Sequence, residues 1–211
     1  RIELDEQQRK LYLAAVVDAR EKLRAAKPED KMAVFAVLMR LREICCDPRL
    51  VADNWDGGSA KLEACMELVT AAVEGGHRIL LFSQFTSMLE LLAKRLDEAG
   101  VSHFTLQGST PKPVRAELVR RFNSGEADVF LISLRAGGTG LNLTAADIVI
   151  HYDPWWNVAA QNQATDRAYR IGQRNPVQVY KLIAQDTIEE KIVELQQAKQ
   201  SLADTVTGSA D

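Results

Sequence analysis

The chain has 211 residues, 46% of them hydrophobic, with 26 Lys and Arg against 29 Asp and Glu for a formal charge of −3. That apolar share can build a proper core, and the acidic balance excludes a generally basic nucleic-acid coat, so any contact with DNA or RNA has to come from a local patch. No stretch reaches the ~18 apolar residues of a membrane span, nothing at the start resembles a signal peptide, and Cys45, Cys46 and Cys65 lack CxxC spacing, so buried thiols in a cytoplasmic protein are expected rather than disulfides or a metal site.

The chain starts at Arg1, without an initiator Met and already inside an apolar-periodic pattern, as a fragment of a longer protein would. Leu11, Leu13, Ala14, Val17 and Leu23 recur at near-helical spacing and predict an amphipathic helix from Asp5 to Arg24. A second helix is expected from about Asp30 to Cys46, closed at Asp47-Pro48 because a residue before proline avoids helical angles. After a loop from Asp53 to Gly58, Ser59 reads as the N-cap of a third helix that stops at Gly75-Gly76. Beyond Gly76, runs of Val, Ile and Leu alternate with helical patterns, which signals βα units on a parallel sheet. Strands are expected from Arg78 to Phe82, Val101 to Leu106, Asp128 to Ser133, Ile148 to Tyr152 and Val177 to Ile183. Between them, Ser83 is read as the cap of a helix stopped by Gly100, and Thr110 with Pro111 as the start of one ending near Gly125. Asn157 can cap a helix that runs through Gln163 to Gly172, and an acid-capped helix from Thr187 to about Leu202 precedes a short polar tail.

In open α/β sheets ligands bind at the carboxyl ends of the strands. Four segments are therefore expected on one edge: Ser83-Gln84-Phe85, Gly108-Ser109-Thr110, Arg135 to Gly140, and Asp153-Pro-Trp155-Trp156-Asn157. The glycine loop at Gly137, Gly138 and Gly140 permits close approach by a phosphate or another chain. It fails the dinucleotide fingerprint, since Leu143 stands where Gly or Ala is needed, and no GxxxxGK[ST] occurs anywhere. On a helix, Gln163, Arg167 and Arg170 share a face. Two guanidiniums there suit phosphate oxygens or the charge that develops in phosphoryl transfer. A solvated helix with Asp166 paired to Arg170 is the other reading of the same spacing. His77, His103 and His151 lie in or beside strand patterns and are read as structural, as is Trp155.

Ser133-Leu-Arg-Ala-Gly-Gly-Thr-Gly-Leu-Asn-Leu143, followed by Asp153-x-x-Trp156-Asn157 and Gln163-Ala-x-Asp-Arg-Ala-x-Arg-Ile-Gly-Gln173, resembles motifs V and VI of the Swi/Snf-type DNA translocases of helicase superfamily two. Leu81-Phe-Ser-Gln-Phe85 is similar to motif IV, and Leu106-Gln-Gly-Ser-Thr110 with Arg115 to the motif after it. The match runs in order over about residues 59 to 195, and the Tyr152-Asp-Pro-Trp-Trp156 version looks closer to bacterial members. The resemblance implies a RecA-like parallel sheet flanked by helices, with a helical lead-in (residues 1–58), the second helicase lobe (59–185) and a C-terminal brace helix with its tail (186–211).

It also implies a motor that hydrolyses ATP with Mg in the cleft between two lobes. The Walker lysine and the acidic magnesium ligands belong to the N-terminal RecA-like lobe of the same polypeptide, so this chain holds no metal and alone hydrolyses no ATP. Arg167 and Arg170 would contact the ATP phosphates, Arg170 as the finger, with Gln163 touching the nucleotide or positioning the helix. Gly138 and Gly140 would let motif V lie against both nucleotide and DNA. Candidate contacts to double-stranded DNA are Ser83, Gln84, Ser109, Thr110, Lys112, Arg115, Arg135 and Trp156, mostly to phosphate. The resemblance implies no membrane partner, and a cytoplasmic, nucleoid-associated location in a bacterium or a nuclear one in a eukaryote. The competing reading is a non-catalytic nucleic-acid or protein-binding scaffold of the same fold, distinguished by whether a P-loop lobe lies upstream.

Overall fold

The computed structural model describes residues 1–133, 141–166 and 176–208, with backbone alone at positions 158, 160, 164 and 165. Among the described residues the strands are β1 (Ile79–Ser83), β2 (His103–Leu106), β3 (Val129–Ser133), β4 (Ile148–His151) and β5 (Gln178–Lys181). They form one parallel sheet in the order β2-β3-β1-β4-β5. The expected α/β class therefore stands, with β1 shifted by one residue and the other four strands one to three residues shorter than the apolar runs predicted.

Successive strand residues point to opposite faces, and the core divides accordingly. Ile79, Leu81, Val129, Leu131, Ile148 and Ile150 pack on one face against helices α3 (Ala60–Glu74) and α4 (Thr86–Glu98). Leu80, Phe82, Phe130, Ile132 and Val149 face the other way, toward Phe122 of α5 (Lys112–Asn123), Leu141, Leu143 and Trp155. All five residues of β1 and of β3 are buried, as befits strands covered on both faces. Gly76 and Gly100 end α3 and α4 with φ of +81° and +69°, left-handed positions where glycine carries no Cβ penalty.

The lead-in consists of α1 (Glu6–Ala25) and α2 (Lys31–Cys46), followed by a 3₁₀ turn at Pro48–Leu50. They form a third cluster in which Tyr12, Ala15 and Ala19 meet Val37, Leu41, Ile44 and Ala184. This corrects the predicted inner face of α1: Leu13, Val17 and Leu23 are exposed, and the buried stripe is Gln8, Tyr12, Ala15 and Ala19. The small alanines let the two helices approach closely, and the polar members reach other elements. Gln8 donates to the Ile44 carbonyl at 2.9 Å and accepts the Ala60 N–H at 3.1 Å.

Gln8 thus caps α3, while Ser59, at the N-cap position, instead donates its hydroxyl to the Cys46 carbonyl at 3.0 Å. Two other caps are also relocated. α4 starts after Phe85, with Ser83 Oγ accepting the Phe85 N–H at 3.1 Å, and α5 starts after Pro111, with Thr110 Oγ1 accepting the Gln107 N–H at 3.0 Å. After β4 comes α6 (Val158–Asp166), and α7 (Ile188–Gly208) closes the chain. α7 extends past the predicted stop at Leu202, where Thr205 and Thr207 donate to the Ser201 and Ala203 carbonyls. Among the described residues no helix is long and apolar enough to cross a membrane.

Candidate functional site

The parallel register brings the strand ends to one edge: Ser83 lies beside Ser133, Phe82 beside His151, and Leu106 beside Ile132. The segments after β1, β2 and β4 leave from that edge, where β3 also ends at Ser133.

Asp153 anchors two of these segments to each other. It is 1% exposed; Oδ1 accepts the Ser83 hydroxyl at 2.5 Å and Oδ2 accepts the Gln84 N–H at 3.1 Å. Burial pushes its carboxyl above the usual range, opposed by the Ser83 hydrogen bond and by the charges of Lys61 and Arg42. The next carbonyl, Pro154, accepts Gln84 Nε2 at 2.9 Å and Arg42 Nη2 at 3.1 Å. Arg42 comes from the lead-in and is 2% exposed, with its guanidinium 5.4 Å from the Phe85 ring centre and 5.9 Å from that of Trp156. Cation–π contact of this kind strengthens when desolvated. Trp156 keeps 37% of its surface exposed, whereas Trp155 is buried edge-on against Phe82 and His151.

The β2–α5 loop is organised separately. Arg115 Nε donates to the Thr110 carbonyl at 2.7 Å, and Nη2 to the carbonyls of Gly108 at 2.8 Å and Gln107 at 3.3 Å. Its guanidinium is thus turned onto the loop's own carbonyls. Ser109 and Lys112 are exposed at that loop.

Of the predicted site residues, the structure brings Gln84 and Trp156 together around Arg42 and the Pro154 carbonyl and leaves Ser109 and Gln163 exposed. Three side chains are already occupied, Ser83 on the neighbouring segment and the other two within their own loop. The Ser83 hydroxyl is buried on Asp153, Thr110 Oγ1 holds the Gln107 amide, and Arg115 holds three carbonyls. Arg135, Gly138, Gly140, Arg167 and Arg170 lie outside the described residues.

The histidines have structural surroundings. His77 and His103 pair with Asp147 and Asp97, each at 2.7 Å. Burial, with Lys181 adding to it, lowers His151 to about 3, so the imidazole is neutral. Burial likewise raises all three cysteine thiols, Cys65 to about 12. Among the described residues no group of three His, Cys, Asp or Glu side chains could hold a metal ion.

The sequence reading gave no role to Arg42, Gln161 and Gln196, and named Asp153 only within its motif. Arg42 and Gln196 occupy inward positions of their helices, Gln196 continuing the buried stripe of Glu189 and Ile192. A charged or amide side chain at core spacing was the available signal, because burying one without a partner is costly.

The sequence profile of the helicase conserved C-terminal domain matches residues 60–172. The chain is 41% identical over 215 residues to a putative ATP-dependent helicase/translocase of Bacillus subtilis, a match covering 99% of this chain and 23% of that protein. It is 37% identical over 209 residues to the mouse SWI/SNF-related, matrix-associated, actin-dependent regulator of chromatin subfamily A member 1, covering 93% of this chain and 20% of that protein. The chain thus spans about a fifth of the length of these relatives. Among solved structures, the Sulfolobus solfataricus SWI2/SNF2 ATPase core in complex with double-stranded DNA superposes with a TM-score of 0.83 at 32% identity, covering 100% of this chain and 45% of that one. The chain belongs to the helicase conserved C-terminal domain family, as a C-terminal lobe of the Swi/Snf type.

Proposed function

We propose that this chain is the second motor lobe of a DNA-stimulated, ATP-dependent translocase on double-stranded DNA. The observation that carries the reading is the single sheet edge where the Ser83–Phe85 and Asp153–Trp156 segments are bonded together, with the glycine loop and the two arginines adjoining it in sequence. The likeness to the putative ATP-dependent helicase/translocase of B. subtilis and to the Sulfolobus core solved with double-stranded DNA supports it.

In this reading ATP is the substrate, and Arg167 and Arg170 approach its phosphates, where fixed positive charge stabilises the transition state. Gln163, exposed on α6, positions that segment or touches the nucleotide. Gly138 and Gly140 let their loop approach nucleotide and DNA together. Magnesium falls to the first lobe, as the resemblance implies; among the described residues, Asp153 at this edge is buried and already accepts two hydrogen bonds. Gln84, Ser109, Lys112, Arg135 and Trp156 meet the DNA backbone, while Ser83, Thr110 and Arg115 act by shaping their loops.

The test uses the full-length parent protein. Arg170→Ala is expected to lower DNA-stimulated phosphate release by about 10³-fold or more, the worth of an arginine finger, with the circular-dichroism spectrum unchanged. Turnover equal to that of the parent overturns the finger assignment, and this chain alone is expected to hydrolyse no ATP.

A further inference from the structure

We infer that Gln161 and Gln196 form a latch by which α7 holds the start of α6, and that both are positioning residues for the motor proposed above. The inference rests on that reading for its activity arm alone.

Gln161 and Gln196 are 2% and 8% exposed. Gln161 Oε1 accepts the Trp155 N–H at 3.4 Å and Gln196 Nε2 at 3.5 Å. Gln196 Nε2 also donates to the Trp155 carbonyl. Both backbone polar groups of Trp155 are therefore taken by this amide pair, which joins the β4–α6 loop, the first turns of α6 and the middle of α7. The Gln161 N–H in turn bonds the Asn157 carbonyl at 3.2 Å, tying the latch to the helix start.

Packing alone does not call for these residues. Leucine fills a similar volume without polar atoms that need partners, and a buried amide is tolerated where its hydrogen bonds are met. The bonds run to the loop at Trp155 and to the short helix that precedes Arg167 in the sequence. α7 is fixed at its root, where Glu189 pairs with Lys61 and the Ile188 N–H meets Tyr12. Beyond Gln196 its outer half exposes Leu202 and Val206.

The test compares Gln161→Leu, Gln196→Leu and the double variant in the full-length parent. Three quantities are measured: DNA-stimulated turnover, KM for ATP with DNA affinity, and amide hydrogen exchange over residues 155–166. Each single variant is expected to lower kcat at least fivefold, with KM and DNA affinity within twofold, and the double variant to lose no more than the worse single. Exchange in residues 155–166 should rise alike in all three. Losses that multiply in the double variant, or a kcat unaffected while thermal stability falls, overturn the latch. If the unmutated parent shows no DNA-stimulated turnover, the motor reading falls instead. Exchange then decides the latch: a shared rise in both single variants upholds it, and unequal or absent changes overturn it.

Discussion

Lys61 and Glu189, 128 positions apart, form an ion pair in which neither side chain is exposed to solvent. Glu189 Oε1 also accepts the Ala184 N–H at 2.8 Å, and the Lys61 ammonium sits 5.4 Å from the centre of the Tyr152 ring. Burial alone would lower the Lys61 pKa, but the carboxylate opposite holds it above the ordinary lysine value. Breaking such a pair leaves an uncompensated buried charge, whereas replacing both partners with apolar groups is often nearly neutral. Lys61→Met is therefore expected to cost about 3–5 kcal/mol of stability, and Lys61→Met with Glu189→Leu to recover most of it. Urea unfolding of the three proteins checks this; a double variant as unstable as the single one would contradict it.

The root of α7 has a second fastening from far away in sequence. Tyr12 accepts the Ile188 N–H through its phenolic oxygen at 2.7 Å, satisfying a donor at the helix start. Burial, foremost, pushes its pKa up to about 12, so the phenol is protonated over the whole physiological range. Tyr12→Phe should cost about 0.5–2 kcal/mol, as lost caps do. The loss should appear as faster exchange of the first amides of α7 while those of β1 and β3 stay protected.

For Arg115 the geometry and the resemblance suggest different contributions, and salt dependence separates them. An arginine on phosphate adds about one unit to the slope of log affinity against log salt. One that bonds the carbonyls of Gln107, Gly108 and Thr110 does not. Arg115→Ala in the full-length protein is expected to lower stability by about 1–3 kcal/mol through stranded loop carbonyls. The salt slope of DNA binding should not change, and a slope reduced by about one would restore Arg115 to the DNA contacts.

His151 makes the acid limb of stability testable. Its folded pKa, about 3, lies below the ordinary 6.5, so between these values the unfolded chain binds the extra proton. The contribution is complete above pH 6.5 and is lost as pH falls, by about 1.4 kcal/mol for each unit. Asp153 and Glu189, whose carboxyls burial pushes up, act in the opposite sense. The difference between the parent and His151→Asn therefore isolates the imidazole. Unfolding measured from pH 7.5 to 4.5 should show the parent's advantage shrinking toward acid, and a constant difference would rule out a neutral buried histidine.

Much of this protein is determined by the sequence alone, because its determinants are local. Ile79, Leu81 and their neighbours make apolar runs too short for helices and flanked by turn residues; Gly76 and Gly100 stop helices where a positive φ is needed; and the ordered motifs from Leu81 to Gln173 identify the lobe. Only the tertiary structure decided which groups answer one another across long separations. Asp153 takes the Ser83 hydroxyl 70 positions away, Gln8 caps α3 from 52 positions away, and Arg42 crosses 112 positions to the Pro154 carbonyl. The exposed leucine and valines of α1 show the same limit, since periodicity reports that a helix has an apolar stripe but not which stripe finds a neighbour. A buried polar atom takes whatever partner the packed elements bring within about 3 Å, and that proximity is a property of the assembled sheet and helices, not of any stretch of chain.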